Sequence, residues 1–346
     1  MLVSPSAMID DNMCTSLEAP GTMLAYAQAH AALDLLADHL AHSPVKAPWA
    51  TRMAVVERHA LAWIDNVVTS QDTMRIDSLG RVASTAYDLT RCRHAIGAAV
   101  PLVTISHNAQ ALLCWLGYAD GPEQDMDHDV QDRPSILQAV EQWMAACRQL
   151  PPSPPLLHGC AIAMLWRQHN PLAQGNLVAS LLIGDRWGPG RWKGSIGGLV
   201  ANGLKAIGGS WRLATSDRLE RLWLAAILAG ARAHLDMERR LLSFAGRARF
   251  SLERRKRSDS LKDLLLFAMA RPSVSSAQLA RHLGMTSAGA IKLLRTAVEE
   301  GLLIELTGQA SFRRYMVPIS GEMPSPVPVQ GAAQTLFAPD FWSQTP

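Results

Sequence analysis

The chain has 346 residues, 48% of them hydrophobic and 18% charged, a globular composition long enough for two or three domains and too apolar for wholesale disorder. Its five cysteines (Cys14, Cys92, Cys114, Cys147 and Cys160) are odd in number and scattered, without a paired Cys/His spacing, which argues against a disulfide-built secreted domain and against a zinc site. The formal net charge of +3 conceals an asymmetry: residues 238–317 hold 15 Lys/Arg against 7 Asp/Glu, a net of +8, and the remainder carries −5. A polyanion partner is expected for the basic block.

Residues 1–20 contain Asp10, Asp11 and Glu18 but no Lys or Arg, and lack the basic start and apolar run of a secretory signal. No stretch approaches the ~18 uncharged apolar residues of a membrane span. The expectation is a cytoplasmic bacterial protein with no membrane partner and a flexible N-terminus.

Residues 21–150 read as an N-terminal helical region. Leu33, Leu36 and Leu40 fall at helical spacing within Met23–Leu40. Ser43-Pro44 and Ala47-Pro48 interrupt the chain, and a second helix is expected over Thr51–Val68 with Val55, His59, Ala62, Trp63 and Val67 inward. A third is expected over Val103–Leu116. Gly121–Pro134 is an acidic loop whose Asp125-x-Asp127-x-Asp129 spacing suggests a calcium loop, but Val130 and Ile136 stand where the turn glycine and the bidentate glutamate belong. No metal site is therefore assigned. Ser135–Gln149 is helical again.

Residues 151–257 read as a helical core. Pro151-Pro152-Ser153-Pro154-Pro155 is a stiff connector, because proline lacks the backbone donor a helix needs. Helices are expected over Leu156–His169, Asn176–Ile183 and Ile196–Ile207, with a Gly/Trp-rich loop over Gly184–Gly194. Two more are expected within Ser216–Arg257, parted near Gly230. Gly198 to Lys205 resembles a P-loop, but its lysine is one position late and no strand precedes it. Close helix packing explains the glycines better.

Residues 258–318 carry an ordered series of signals. A helix over Leu261–Ala270 is closed by Pro272; Ser275 caps a short helix, Ser276–His282; Gly284 makes a tight turn. Thr286 or Ser287 caps a second helix with Ile291, Leu294 and Val298 inward. After Gly301 the period changes to strand, with Leu302–Leu306 and Phe312–Val317 flanking a turn. The expected architecture is a winged helix-turn-helix with a small β-hairpin, in a mainly α chain. Ser287 and Lys292 suit base contacts, while Arg295, Arg313 and Arg314 suit the phosphate backbone, with Ser276 and Thr286 near the same surface. Arg254-Arg255-Lys256-Arg257 add phosphate-neutralising charge upstream. Residues 319–346 are rich in Pro, Ser and Gln and are expected to be a disordered tail.

The stretch from Ile196 to Val317 resembles a family from rhizobia and related α-proteobacteria in which a domain of unknown function precedes a helix-turn-helix. The matching residues are Arg254-Arg255, Ala270-Arg271-Pro272, Val274-Ser275, Ala280-x-x-Leu283-Gly284, and Leu306-Thr307-Gly308 before Arg313 and Tyr315. That resemblance implies a DNA-binding protein. More remotely, Asn170-Pro171-Leu172-Ala173-Gln174-Gly175-Asn176 is similar to the H-P-F-x-x-G-N-G-R-x-x-R motif of the Fic fold, and the match extends in degenerate form over residues 170–181. Asn170 stands in place of the catalytic histidine, Leu177 in place of the last glycine, and Val178 and Leu181 in place of the arginines. The echo over Ala60 to Asn66 puts Asp65 where that fold's regulatory helix carries glutamate.

The expected function is a DNA-binding transcriptional regulator: a helical sensing or oligomerisation domain followed by a double-stranded-DNA reader. The alternative is a Fic-like nucleotidyl (AMP) transferase acting on a protein hydroxyl, or a non-catalytic adaptor derived from one. Asn170 separates them, because an amide cannot act as the general base that transfer requires. No catalytic residue and no cofactor are assigned; Gly175 and Asn176 are candidates for an anion nest. A small-molecule or nucleotide effector and a homodimer are the further partners this organisation suggests.

Overall fold

The computed structural model describes residues 20–67, 74–76, 82–84, 105, 107–117, 133–172, 175–188, 197–213, 216–254, 259–307 and 313–319. Residues 121–132 of the expected acidic loop, Arg255 to Arg257, residues 308–312 of the expected turn, the expected flexible N-terminus over 1–19 and the expected tail from 320 lie outside them. The protein is mainly helical. In chain order the elements are α1 (Pro20–His42), α2 (Lys46–Ile64), β1 (Met74–Ile76), β2 (Val82–Ser84), α3 (Ala109–Trp115), α4 (Arg133–Arg148), α5 (Pro155–His169), α6 (Asn176–Trp187), α7 (Leu199–Ile207), α8 (Ser216–Glu253), α9 (Asp259–Met269), β3 (Val274–Ser275), α10 (Ser276–Leu283), α11 (Ser287–Glu299), β4 (Ile304–Glu305) and β5 (Arg314–Met316). Among the described residues no helix is long and apolar enough to cross a membrane.

The spine is α8, 38 residues and about 57 Å long. It packs against α1, α5 and α7 and also meets α9. Gly230 does not part it. A Cβ there would lie 1.9 Å from the Leu199 carbonyl of α7, and one on Gly203 of α7 would lie 1.7 Å from the Ala226 carbonyl of α8. The two glycines let the helix backbones touch, so residues that read as breaks are packing surfaces. Gly184 behaves likewise against Ala163 and Trp223, which is why α6 runs on to Trp187 instead of ending at Ile183.

Four tryptophans anchor the interior and each indole N–H that donates does so to a fixed acceptor: Trp49 to the His234 carbonyl (3.0 Å), Trp143 to Ile162 (3.3 Å), Trp223 to Leu156 (3.0 Å) and Trp211 to the Ser180 hydroxyl (3.0 Å). Satisfying the polar edge of a buried indole removes a desolvation cost; the buried Trp166 Nε1 is left without that compensation.

Other helix limits move for local reasons. Helix α2 begins at Lys46, before Pro48, because the first turn needs no donor from that residue. Its buried face carries Trp49, Arg52, Met53, Val55, Glu57 and Leu61, while Trp63 is exposed and His59 half-buried. Helix α3 begins at Ala109, where the Asn108 side chain accepts from the Ala111 N–H at 2.9 Å.

Residues 259–319 form three helices and a sheet of order β3-β5-β4, all antiparallel, with Val274 opposite Tyr315 and Ile304 opposite Met316. Ser275 and Gln278 form a reciprocal capping box at α10, Gly284 takes φ +60 to end it, and the Thr286 hydroxyl caps α11. Ala290, Leu294 and Ala297 face inward. Ile291 does not: it is 52% exposed, because the small alanines occupy the buried positions and bring α11 close to its neighbours.

Candidate functional site

The exposed face of α11 is the first candidate. Ser287, Ala288, Ile291, Lys292 and Arg295 are all exposed, on consecutive turns opposite the buried Ala290–Leu294–Ala297 stripe. Thr286 is exposed too, but its hydroxyl accepts from the Gly289 N–H at 3.2 Å, so its oxygen is used as the cap. Arg295 reaches Glu299 at 3.5 Å, an exposed pair that costs little to open. Arg313 is half exposed and faces Glu305 at 3.4 Å across the hairpin. Arg314 lies in β5, half-buried, its backbone N–H held by the Thr307 hydroxyl at 3.2 Å. Ser276 opens α10 and is half-buried. Arg254 closes the spine, exposed, with its guanidinium 5.7 Å from the Phe250 ring centre.

The second candidate is a cleft of about 370 Å³ lined by Asp65, Arg167, Asn170, Gly175, Asn176, Leu177 and Arg212. It brings Asp65, at the end of α2, together with the 170–176 loop more than a hundred residues away in sequence. Asn170 ends α5 in a left-handed conformation (φ +46) and Gly175 opens α6 in another (φ +69) with no side-chain cap. Asn176 is buried, and its Oδ1 accepts from the Leu172 N–H at 3.3 Å. That side chain therefore ties Leu172 to the start of α6. His169 is exposed beside it.

Sequence reasoning missed the two cations of this cleft. Arg167 lies near the end of α5, donates to the Trp211 carbonyl and has its guanidinium 5.5 Å from the Trp211 ring; burial lowers its pKa. Arg212 is exposed on the turn after α7. The two are 45 positions apart, so no local motif could announce them.

The near-P-loop is occupied by protein. The Asp185 carboxylate accepts from the Gly198 N–H (2.7 Å) and the Val200 N–H (3.0 Å), taking up the amides that a phosphate would need. Arg186 pairs with Asp185 (2.8 Å) and with Glu57 of α2 (3.1 Å). Burial alone would lower the Arg186 pKa, but the two carboxylates outweigh it and the net shift is upward. This is a structural ion triad linking α2, α6 and α7.

A third feature joins the helical body to residues 259–319. Arg52, in the middle of α2, sends Nε to the Met269 carbonyl (2.5 Å) and Nη2 to the carbonyls of Ala268 (3.2 Å) and Arg271 (2.6 Å). These lie at the C-terminal end of α9, where the helix dipole is negative. Burial lowers the Arg52 pKa to about 10, so it remains a cation at neutral pH. Arg271 in turn covers the Phe267 ring at 3.7 Å, and His282 stacks on that ring at 4.3 Å.

Among the described residues no group of three or more His, Cys, Asp or Glu could hold a metal ion. No protein-family model matches the chain, and no curated protein sequence matches it significantly.

Proposed function

We propose that the protein is a DNA-binding transcriptional regulator whose C-terminal unit reads duplex DNA as a winged helix-turn-helix. The observation that carries this reading is the exposed face of α11, where Ser287, Lys292 and Arg295 stand clear of the core at the start of the second helix of the pair. The element order helix, strand, helix, helix, strand, strand with outer strands β3 and β4 flanking β5 supports the same reading. So does the +8 balance of residues 238–317. Ser287 and Lys292 reach base edges; Arg254, Arg295, Arg313 and Arg314 neutralise phosphates.

In this account the helical body is the sensing part. Arg167 and Arg212 in the cleft support a small anionic effector as its ligand, on a scaffold similar to a degenerate Fic fold. Catalysis is not part of the proposal, since the amide of Asn170 offers no proton acceptor where transfer would need one. Helix α2 touches both ends of the system, with Asp65 at the cleft and Arg52 on α9 about 20 Å away along the helix.

Binding-site selection with the full chain on a pool of random duplexes tests the reading. Enrichment of a defined motif that Lys292→Ala degrades supports it; a pool that stays random after repeated rounds contradicts it.

A further inference from the structure

Ile291 has no packing reason to be where it is. It sits on the solvent face of α11, one turn after Ser287 and one turn before Arg295, with Lys292 beside it, and more than half of its surface is exposed. The buried stripe of the helix is complete without it, formed by Ala290, Leu294 and Ala297. A β-branched aliphatic side chain is a poorer helix former than the lysine or alanine that would serve at an exposed position. Single exposed apolar residues are common on protein surfaces; this one differs in its neighbours. A hydroxyl, an ammonium and a guanidinium surround it on one face, which matches the mixture that a major groove presents: acceptor edges, a phosphate wall, and one apolar group, the C5-methyl of thymine.

We infer that Ile291 is a specificity-determining residue that packs against a thymine methyl in the major groove. The inference rests on the DNA-binding reading and deepens it: Lys292 and Arg295 hold the helix in the groove by charge, and Ile291 selects a 5-methylpyrimidine at one position of the site. The side chain is rigid at χ1, so the selection costs little rotamer entropy on binding. Cytosine at that position presents a polar N4 amino group and no methyl, and uracil presents the same edge as thymine with the methyl deleted. Uracil therefore isolates the contact.

The test uses the full chain and the duplex recovered by selection, prepared as a series in which each thymine in turn is replaced by deoxyuridine. Burial of one methyl group is worth about four-fold in affinity. The expected result is a loss of about that size at one thymine per bound α11 and none elsewhere. With Ile291→Ala the discrimination disappears, Ile291→Val keeps part of it, and the salt dependence is unchanged in both. A protein that binds the duplex with steep salt dependence but is indifferent to every uracil overturns the inference and leaves the DNA-binding reading standing. Ile291→Ala that alters the sedimentation of the free protein, with uracil discrimination intact, also overturns it and assigns Ile291 to a protein contact. Absence of duplex binding overturns both.

Discussion

Replacing Arg52 by Met keeps the buried volume of α2 and removes the guanidinium that holds the end of α9. The wild-type side chain makes three charge-assisted hydrogen bonds to carbonyls, each worth about 1.5–3 kcal/mol. Against them stands the desolvation that lowers its pKa to about 10, equivalent to roughly 3 kcal/mol. The net loss is then roughly 1–6 kcal/mol. The Ala268 carbonyl retains the Arg271 N–H at 3.2 Å, so the loss falls mainly on Met269 and Arg271. Helix α8 still fastens the C-terminal unit through Arg247 to the Pro318 carbonyl and Ser251 to Glu300, and the result is a loosened unit rather than a detached one. Residues 258–318 contain no tryptophan and nine of the ten tryptophans precede them, Trp342 being the exception, so with Trp342→Phe as background indole fluorescence follows the body while far-UV circular dichroism follows all helices. Urea unfolding of Arg52→Met should separate the two signals, with α9 amides exchanging faster than in the wild type. Arg52→Lys, which keeps the charge but cannot fork, should fall between. Coincident transitions with an unchanged midpoint would refute the role given to Arg52.

Gly230→Ala should destabilise the body by about 1–3 kcal/mol or more despite the better helix propensity of alanine, because its Cβ meets the Leu199 backbone; a raised melting temperature would contradict the packing role. His234 is buried and accepts from the Asn202 amide at 2.8 Å, and burial, reinforced by Arg186, lowers its pKa to about 3. The unfolded state, with a histidine near 6.5, then binds more protons than the native state as pH falls below 6.5, so stability is full above that value and declines toward pH 3. Between pH 7 and pH 5 the wild type should lose about 2 kcal/mol more than His234→Gln, measured by urea denaturation; equal losses would remove His234 from the account. Incubation with labelled nucleoside triphosphates and lysate proteins should give no label transfer; transfer abolished by Asn176→Ala would favour the enzyme over the regulator.

Signals confined to a few neighbouring residues were legible in the chain. Ser275, Gly284 and Thr286 mark the ends of α10 and α11 because a cap acts on amides within one turn of itself. Signals that depend on the partner surface were not. Ile291 repeats with Leu294 and Val298 at helical spacing, yet Ala290 and Ala297 take the inward positions, since periodicity cannot tell which of two adjacent stripes faces a neighbour. Trp63 was misplaced for the same reason. Gly230 and Gly184 read as breaks because a glycine's local cost is visible in sequence and its contact with another helix is not. Arg52 was not legible at all, because its carbonyl acceptors lie more than two hundred residues on. The cleft residues Asp65, Arg167 and Arg212 belong to three separate segments, the ends of α2 and α5 and the turn after α7, that only tertiary packing brings together.

The affinity of the full chain for its selected duplex, measured by fluorescence anisotropy from 50 to 200 mM salt, tests the central claim most directly. Four phosphate contacts from Arg254, Arg295, Arg313 and Arg314 predict a slope of log K against log salt of about −4 or steeper, since each contributes about −0.9. Arg313→Ala should weaken every sequence alike and flatten the slope by about 0.9, whereas Lys292→Ala should narrow the gap between selected and scrambled duplex. A salt-independent affinity, or one unchanged when both residues are replaced, would contradict the assignment of α11 and the hairpin as the DNA-binding surface.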